Sequence, residues 1–106
     1  MNITRWLLLA SMTAAASFAQ AEVTPGETKA RTCAVCHGPV GISTAPDTPN
    51  LAGQPERYLS EQLKAYRSGK RIHEVMSLMA KPLSDDDIAN LAAWFASIKV
   101  EAVAPR

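Results

Sequence analysis

The chain has 106 residues, 11 Lys plus Arg against 10 Asp plus Glu, and two cysteines. That length allows one domain. The balanced charge supplies no net basic surface, so neither nucleic acid nor an anionic membrane is expected as a partner.

The N-terminal stretch reads as an address rather than as part of the fold. Asn2 to Arg5 carries a single positive charge, and Trp6 to Phe18 is uncharged and includes Leu7, Leu8, Leu9 and Ala14 to Ala16. Ala19-Gln20-Ala21 follows as a small-x-small site. Together these predict a secretory signal over residues 1–21, cleaved after Ala21, and a periplasmic location. The apolar run is shorter than the roughly 20 residues a spanning helix needs, so no membrane insertion is expected after cleavage. The remaining domain, residues 22–106, holds ten residues of each charge. A domain of that size buries a modest core and commonly relies on a staple or a cofactor.

Three stretches read as helix. The first runs from about Pro25 to Cys36, with Thr24 as N-cap, Pro25 at the first position and Glu27 completing a capping box. The second runs from about Pro55 to Ser68, with Tyr58, Leu59, Gln62, Leu63 and Tyr66 on one face and Gly69 as its stop. The third runs from about Asp85 to Val100. Ser84 caps it, Asp85 to Asp87 suit its positive end, and Ile88, Leu91, Ala92, Phe95 and Ile98 recur at helical spacing. A short helical turn is expected around His73 to Met76. No strand signal is present, so the fold class is all-α. Two irregular spans, Gly38 to Gly53 and Gly69 to Leu83, are long for so small a domain. A large apolar ligand enclosed between them would bury what three helices cannot.

Cys33-Ala34-Val35-Cys36-His37 supplies that ligand's chemistry. In C-x-x-C-H the two thiols add across the vinyl groups on one edge of a haem, and the adjacent imidazole reaches the iron. A thioredoxin-like redox pair would need a βαβ context. Zinc would need four ligands, and residues 22–106 offer only Cys33, Cys36, His37 and His73. A disulfide across two residues would add little. One covalently bound haem c is therefore expected, held by Cys33 and Cys36 with His37 on the iron.

The sixth iron position has three candidates. Met76 and Met79 both fall in the second irregular span, and a thioether there favours ferrous iron and a raised potential. His73 is the third, and would give a low-potential bis-histidine haem. Met76 is the preferred reading and Met79 the alternative. Arg57, Lys64, Arg67, Lys70 and Arg71 outnumber Glu56 and Glu61. They form a solvated face, a docking patch for an acidic partner, or a clamp on the haem propionates through Arg67 or Arg71. Tyr58 is placed against the haem pocket. Trp94 and Phe95 read as core.

These residues resemble a class I cytochrome c, in particular the small bacterial group that includes cytochrome c4 halves and cytochrome c553. The matching residues are Gly26, Cys33 to Gly38, Pro49-Asn50-Leu51-Ala52-Gly53-Gln54, Arg57-Tyr58-Leu59, Gln62-Leu63, Arg67 to Arg71, and Leu83-Ser84-Asp85 through Ser97. The resemblance implies a class I cytochrome fold of about three main helices around one haem. It implies Met76, seven residues before Leu83, as axial ligand, and Pro49 as the carbonyl that fixes the His37 tautomer. It also implies a crossing of the first and last helices at Gly26 with Trp94 or Phe95. Met79 is a departure from the pattern, as is the single haem domain where c4-type members have two.

The function expected on these grounds is periplasmic electron transfer without catalysis, between a redox donor and an acceptor, with a homodimer as one possible assembly. The alternatives are a haem subunit of a larger redox enzyme and an open-site haem sensor or peroxidase.

Overall fold

The computed structural model describes residues 22–106, so the expected signal segment, residues 1–21, lies outside the described part. Five helices and no strand occur among the described residues: α1 (Pro25–Ala30), α2 (Ala34–His37), α3 (Glu56–Ser68), α4 (Met76–Ala80) and α5 (Asp85–Ser97).

Local chemistry explains most of the boundaries. Thr24 Oγ1 accepts the Glu27 N–H at 3.1 Å and starts α1, so the Thr24 half of the expected capping box is made. The single helix expected from Pro25 to Cys36 is two pieces. Thr32 Oγ1 donates to the Lys29 carbonyl at 2.9 Å, and the backbone there tightens to three-residue steps, with Cys33 N–H on Ala30 O at 2.9 Å. A threonine hydroxyl competing for a helix carbonyl, together with a tighter turn, separates α1 from α2.

Pro55 precedes α3, and Gly69 ends it in the left-handed conformation, φ 82°. The short helical turn expected at His73 to Met76 is present, closed by Ser77 N–H on His73 O at 3.0 Å, and runs on into α4 from Met76. A full capping box opens α5. Ser84 Oγ accepts from Asp87 N–H and Asp87 Oδ2 accepts from Ser84 N–H, both at 3.0 Å.

α1 and α3 both pack on α5, and α4 packs on α3. Ala30, Leu59, Leu91, Ala92 and Phe95 form the core cluster, with Cys33, Leu51, Leu63, Leu83, Trp94 and Ile98 against it. Ile88 and Leu91 are completely enclosed, each contributing about 1.5–3 kcal/mol of burial.

The crossing of α1 on α5 leaves no room at Gly26. A β-carbon there would collide with the Asn90 carbonyl oxygen and sit 2.9 Å from Trp94 Cβ. Trp94, not Phe95, is therefore the aromatic at the crossing. The Phe95 ring faces Gly41 instead, on the other flank of α5.

Ion pairs tie the first turn of α5 to both neighbours. Lys29 Nζ lies 3.3 Å from Asp87, linking α1, and Arg67 lies 2.6 Å from Asp85, linking α3.

Candidate cofactor site

Cys33, Cys36 and His37 sit on α2 and its N-cap, which the core holds through the partly buried Cys33. Both thiols are free rather than joined in a disulfide. Burial pushes the Cys33 thiol pKa up, against smaller opposing effects of Thr32 and Lys29, while Cys36 is exposed.

The loop after α2 is fastened at both ends. The backbone N–H groups of Leu51 and Ala52 donate to the Gly41 carbonyl at 2.8 and 3.0 Å, and Gly53 N–H donates to Phe95 O at 2.9 Å. Ser43 joins it to the motif. Its hydroxyl donates to the Cys36 carbonyl at 3.2 Å, and its N–H donates to Asn50 Oδ1 at 2.7 Å.

That bracing places the Pro49 carbonyl 2.8 Å from His37 Nδ1. A carbonyl can only accept, so the ring proton sits on Nδ1. The lone pair of Nε2 is left for a metal, which is the usual arrangement of a ligating histidine. His37 is 6% exposed, so this tautomer is held in a buried setting.

The two methionines lie together on α4. Met76 opens the helix and is half-buried, while Met79, three residues on, is more exposed. Residues at that spacing neighbour one another on a helix surface.

The other expected site residues have the following contacts. His73 is exposed, and its Nδ1 accepts the N–H groups of Val75 and Met76 at 3.2 and 3.1 Å, which commits that nitrogen to the backbone. Arg67, one of the two candidates for a propionate clamp, donates to the Leu83 carbonyl at 3.0 Å and to Asp85 at 2.6 Å. Those contacts fasten α3 to the start of α5. Arg71 donates to Gln62 Oε1 at 2.7 Å and lies over the Tyr66 ring. Tyr58 is exposed near the start of α3.

The sequence reasoning gave Ser43 and Asn50 no role. Ser43 reaches Cys36 across seven residues through an irregular loop, where no periodic signal exists. The cap made by His73 was also missed, because histidine is not among the usual N-cap residues.

Among the described residues, no three His, Cys, Asp or Glu side chains gather around a point that could hold a bare metal ion. The donor set fits a haem instead: two free thiols three residues apart, an imidazole with Nε2 available, and thioethers on a second helix. The segments that carry these donors also expose apolar side chains, with Val35 90%, Ile72 85% and Leu78 69% exposed. Such surface suits a large flat apolar ring.

An all-α domain with C-x-x-C-H on a helix, and its histidine hydrogen-bonded to a loop carbonyl, is a c-type haem protein in its class. A sequence model of the cytochrome c family matches residues 23–99, and the chain belongs to that family. The family's cofactor is covalently bound haem c, and its c4-type members are electron carriers.

Cytochrome c4 of Pseudomonas aeruginosa is 45% identical over 82 residues, covering 77% of this chain and 41% of that one. Cytochrome c-554(548) of Halomonas halodenitrificans is 48% identical over 75 residues, covering 68% of this chain and 90% of that one. A thiosulfate dehydrogenase electron acceptor of Thiomonas intermedia is 43% identical over 72 residues, covering 67% of this chain and 33% of that one. Among solved structures, reduced recombinant cytochrome c4 from Pseudomonas stutzeri superposes with a TM-score of 0.68 at 39% identity, covering 76% of this chain and 47% of that one. The chain thus spans less than half of the Pseudomonas aeruginosa cytochrome c4 and most of the Halomonas halodenitrificans protein. No helix among the described residues is long and apolar enough to cross a membrane.

Proposed function

We propose that this chain is a periplasmic single-electron carrier. Cys33 and Cys36 would hold one haem c through thioether links, and His37 and Met76 would ligate its iron. The haem, when bound, supplies a one-electron iron couple. The chain's residues do the rest. Pro49 O holds the His37 ring in one tautomer and orientation, and a neutral Met76 thioether favours the ferrous state. Apolar side chains such as Val35 and Leu78 keep water from the ring. No substrate binds and no bond is made.

The observation that carries the reading is the 2.8 Å contact from His37 Nδ1 to Pro49 O beside two free thiols. Residues 1–21 are read as the secretory signal that delivers the chain, and residues 22–106 as the working domain. The mass of protein recovered from a periplasmic fraction checks this: it begins at Glu22, or the cleavage reading is wrong.

The visible spectrum of that protein tests the ligands. A sharp low-spin reduced spectrum and a weak far-red thioether band in the ferric form are expected. Met76→Ala removes the far-red band and Met79→Ala leaves it. A high-spin haem that binds carbon monoxide readily would instead make this an open-site sensor or peroxidase.

The likeness to the Thiomonas intermedia electron acceptor favours a second reading, in which the chain is the haem subunit of a larger redox enzyme. Gel filtration of the native extract separates the two. A lone carrier runs near 10 kDa or as its dimer, and a subunit co-elutes with an enzyme.

A further inference from the structure

We propose that His73 is the positioning residue for Met76, acting as a side-chain cap that fixes where α4 begins. The inference rests on Met76 being the sixth ligand and goes beyond it, because nothing in that reading says what sets the position of the thioether.

The cap is made at both ends. His73 Nδ1 accepts from Val75 N–H at 3.2 Å and from Met76 N–H at 3.1 Å. In return, Ser77 Oγ accepts the His73 N–H at 2.9 Å, and Ser77 N–H donates to the His73 carbonyl at 3.0 Å. This is the logic of a capping box with an imidazole in place of the usual short polar side chain. An Nδ1 that accepts two N–H groups carries no proton, so the ring proton is on Nε2.

The ring is itself braced from α3. Tyr66 meets it edge-on, with centroids 6.4 Å apart and planes at 72°. Arg71 lies 4.7 Å from the Tyr66 centroid and donates to Gln62, and its backbone N–H donates to Ala65 O at 3.0 Å. A continuous set of contacts therefore runs from the last turns of α3 through Tyr66 and His73 to the Met76 backbone.

The arrangement also separates the two methionines. The Met76 N–H is held directly by the imidazole, whereas the Met79 N–H donates to Val75 O at 3.0 Å, inside the helix. Helix α4 has only five residues, too few to hold its own shape without a cap. Loss of the cap frees the Met76 end first.

The test uses the mature holoprotein in four forms: wild type, His73→Ala, His73→Asn and Ser84→Ala. Ferric protein is titrated with imidazole, which competes for the sixth position, and global unfolding is followed by far-UV circular dichroism. His73→Ala should bind imidazole about fivefold more tightly than wild type, the equivalent of one lost cap. His73→Asn, whose side-chain oxygen can accept the same N–H groups, should return toward wild type. Ser84→Ala removes a cap of similar strength from α5; it should lower the unfolding midpoint and leave imidazole affinity unchanged.

The proposal is overturned if His73→Ala binds imidazole as wild type does, or if Ser84→Ala tightens binding equally. If His73→Ala does not fold, Ser77→Ala takes its place and should tighten imidazole binding in the same direction; no change there also overturns it. The underlying ligand reading fails separately, by survival of the far-red band in Met76→Ala, or by a bis-histidine spectrum in the wild type that His73→Ala abolishes.

Discussion

His37 Nδ1 and the Pro49 carbonyl oxygen lie 2.8 Å apart, joining a helix residue to a loop residue twelve positions later. The acceptor is a backbone atom, so no side-chain substitution deletes it. What can change is how firmly the loop presents it. Pro49→Ala keeps the carbonyl but widens the conformations open to the unfolded chain, which costs about 0.4–1 kcal/mol of stability. The expected outcome is a modestly lower unfolding midpoint and faster solvent exchange of the His37 Nδ1 proton, read by NMR. An unchanged exchange rate would mean that the hydrogen bonds of Gly41, Ser43, Asn50 and Gly53 hold the loop without help from the proline ring.

Gly26 and Gly69 should fail in different ways when substituted. Gly26 lacks space, because a β-carbon would strike Asn90 O and Trp94. Gly69 has open space but sits at φ 82°. Alanine at Gly26 forces α1 from α5 at about 1–3 kcal/mol, and alanine at Gly69 costs about 1–2 kcal/mol of backbone strain. Asparagine separates them. It tolerates the left-handed region, so Gly69→Asn should be milder than Gly69→Ala, while Gly26→Asn should be worse than Gly26→Ala. Thermal unfolding of the four holoproteins checks the order.

Acid should loosen the first turn of α5. The Arg67 guanidinium holds the Asp85 carboxyl below its usual pKa, and the backbone N–H of Ser84, with Lys29, does the same for Asp87. A carboxylate depressed in the fold stabilises it above the unfolded pKa of about 3.9 and loses that contribution as pH falls through the lower folded value. The unfolding midpoint should therefore drop as pH falls below about 4. The double variant Asp85→Asn, Asp87→Asn should start lower at neutral pH and show a shallower drop. Asp85 is solvent-exposed and Asp87 half-buried, so the effect should shrink in high salt, more for Asp85 than for Asp87.

What could be read from the sequence follows the range of the interaction. Ser84 with Asp87, Gly69 as a helix stop and the thiols flanking Ala34-Val35 are contacts within a few residues, and their pattern is visible in the letters. The break between α1 and α2 was not, because Thr32 had to choose the Lys29 carbonyl over solvent. Neither was the choice of Trp94 over Phe95 at the Gly26 crossing. Both aromatics fit a buried face, and only the angle at which α1 meets α5 decides between them. The bonds from Arg67 to Leu83 and Asp85 were equally hidden, because they join residues 16 and 18 positions apart.

The meeting of α1 and α5 also sets the smallest piece of chain that can fold. Each helix is the other's wall, although they stand at opposite ends of the matched region. Trimming either end bares the apolar face of the other, and a cut in the exposed Ala45 to Asp47 stretch leaves two fragments that still belong to one interface. Lengthening such a protein by repetition therefore works only in complete copies from Thr24 to Ile98. An N-terminal half copy would carry the C-x-x-C-H motif with nothing behind it.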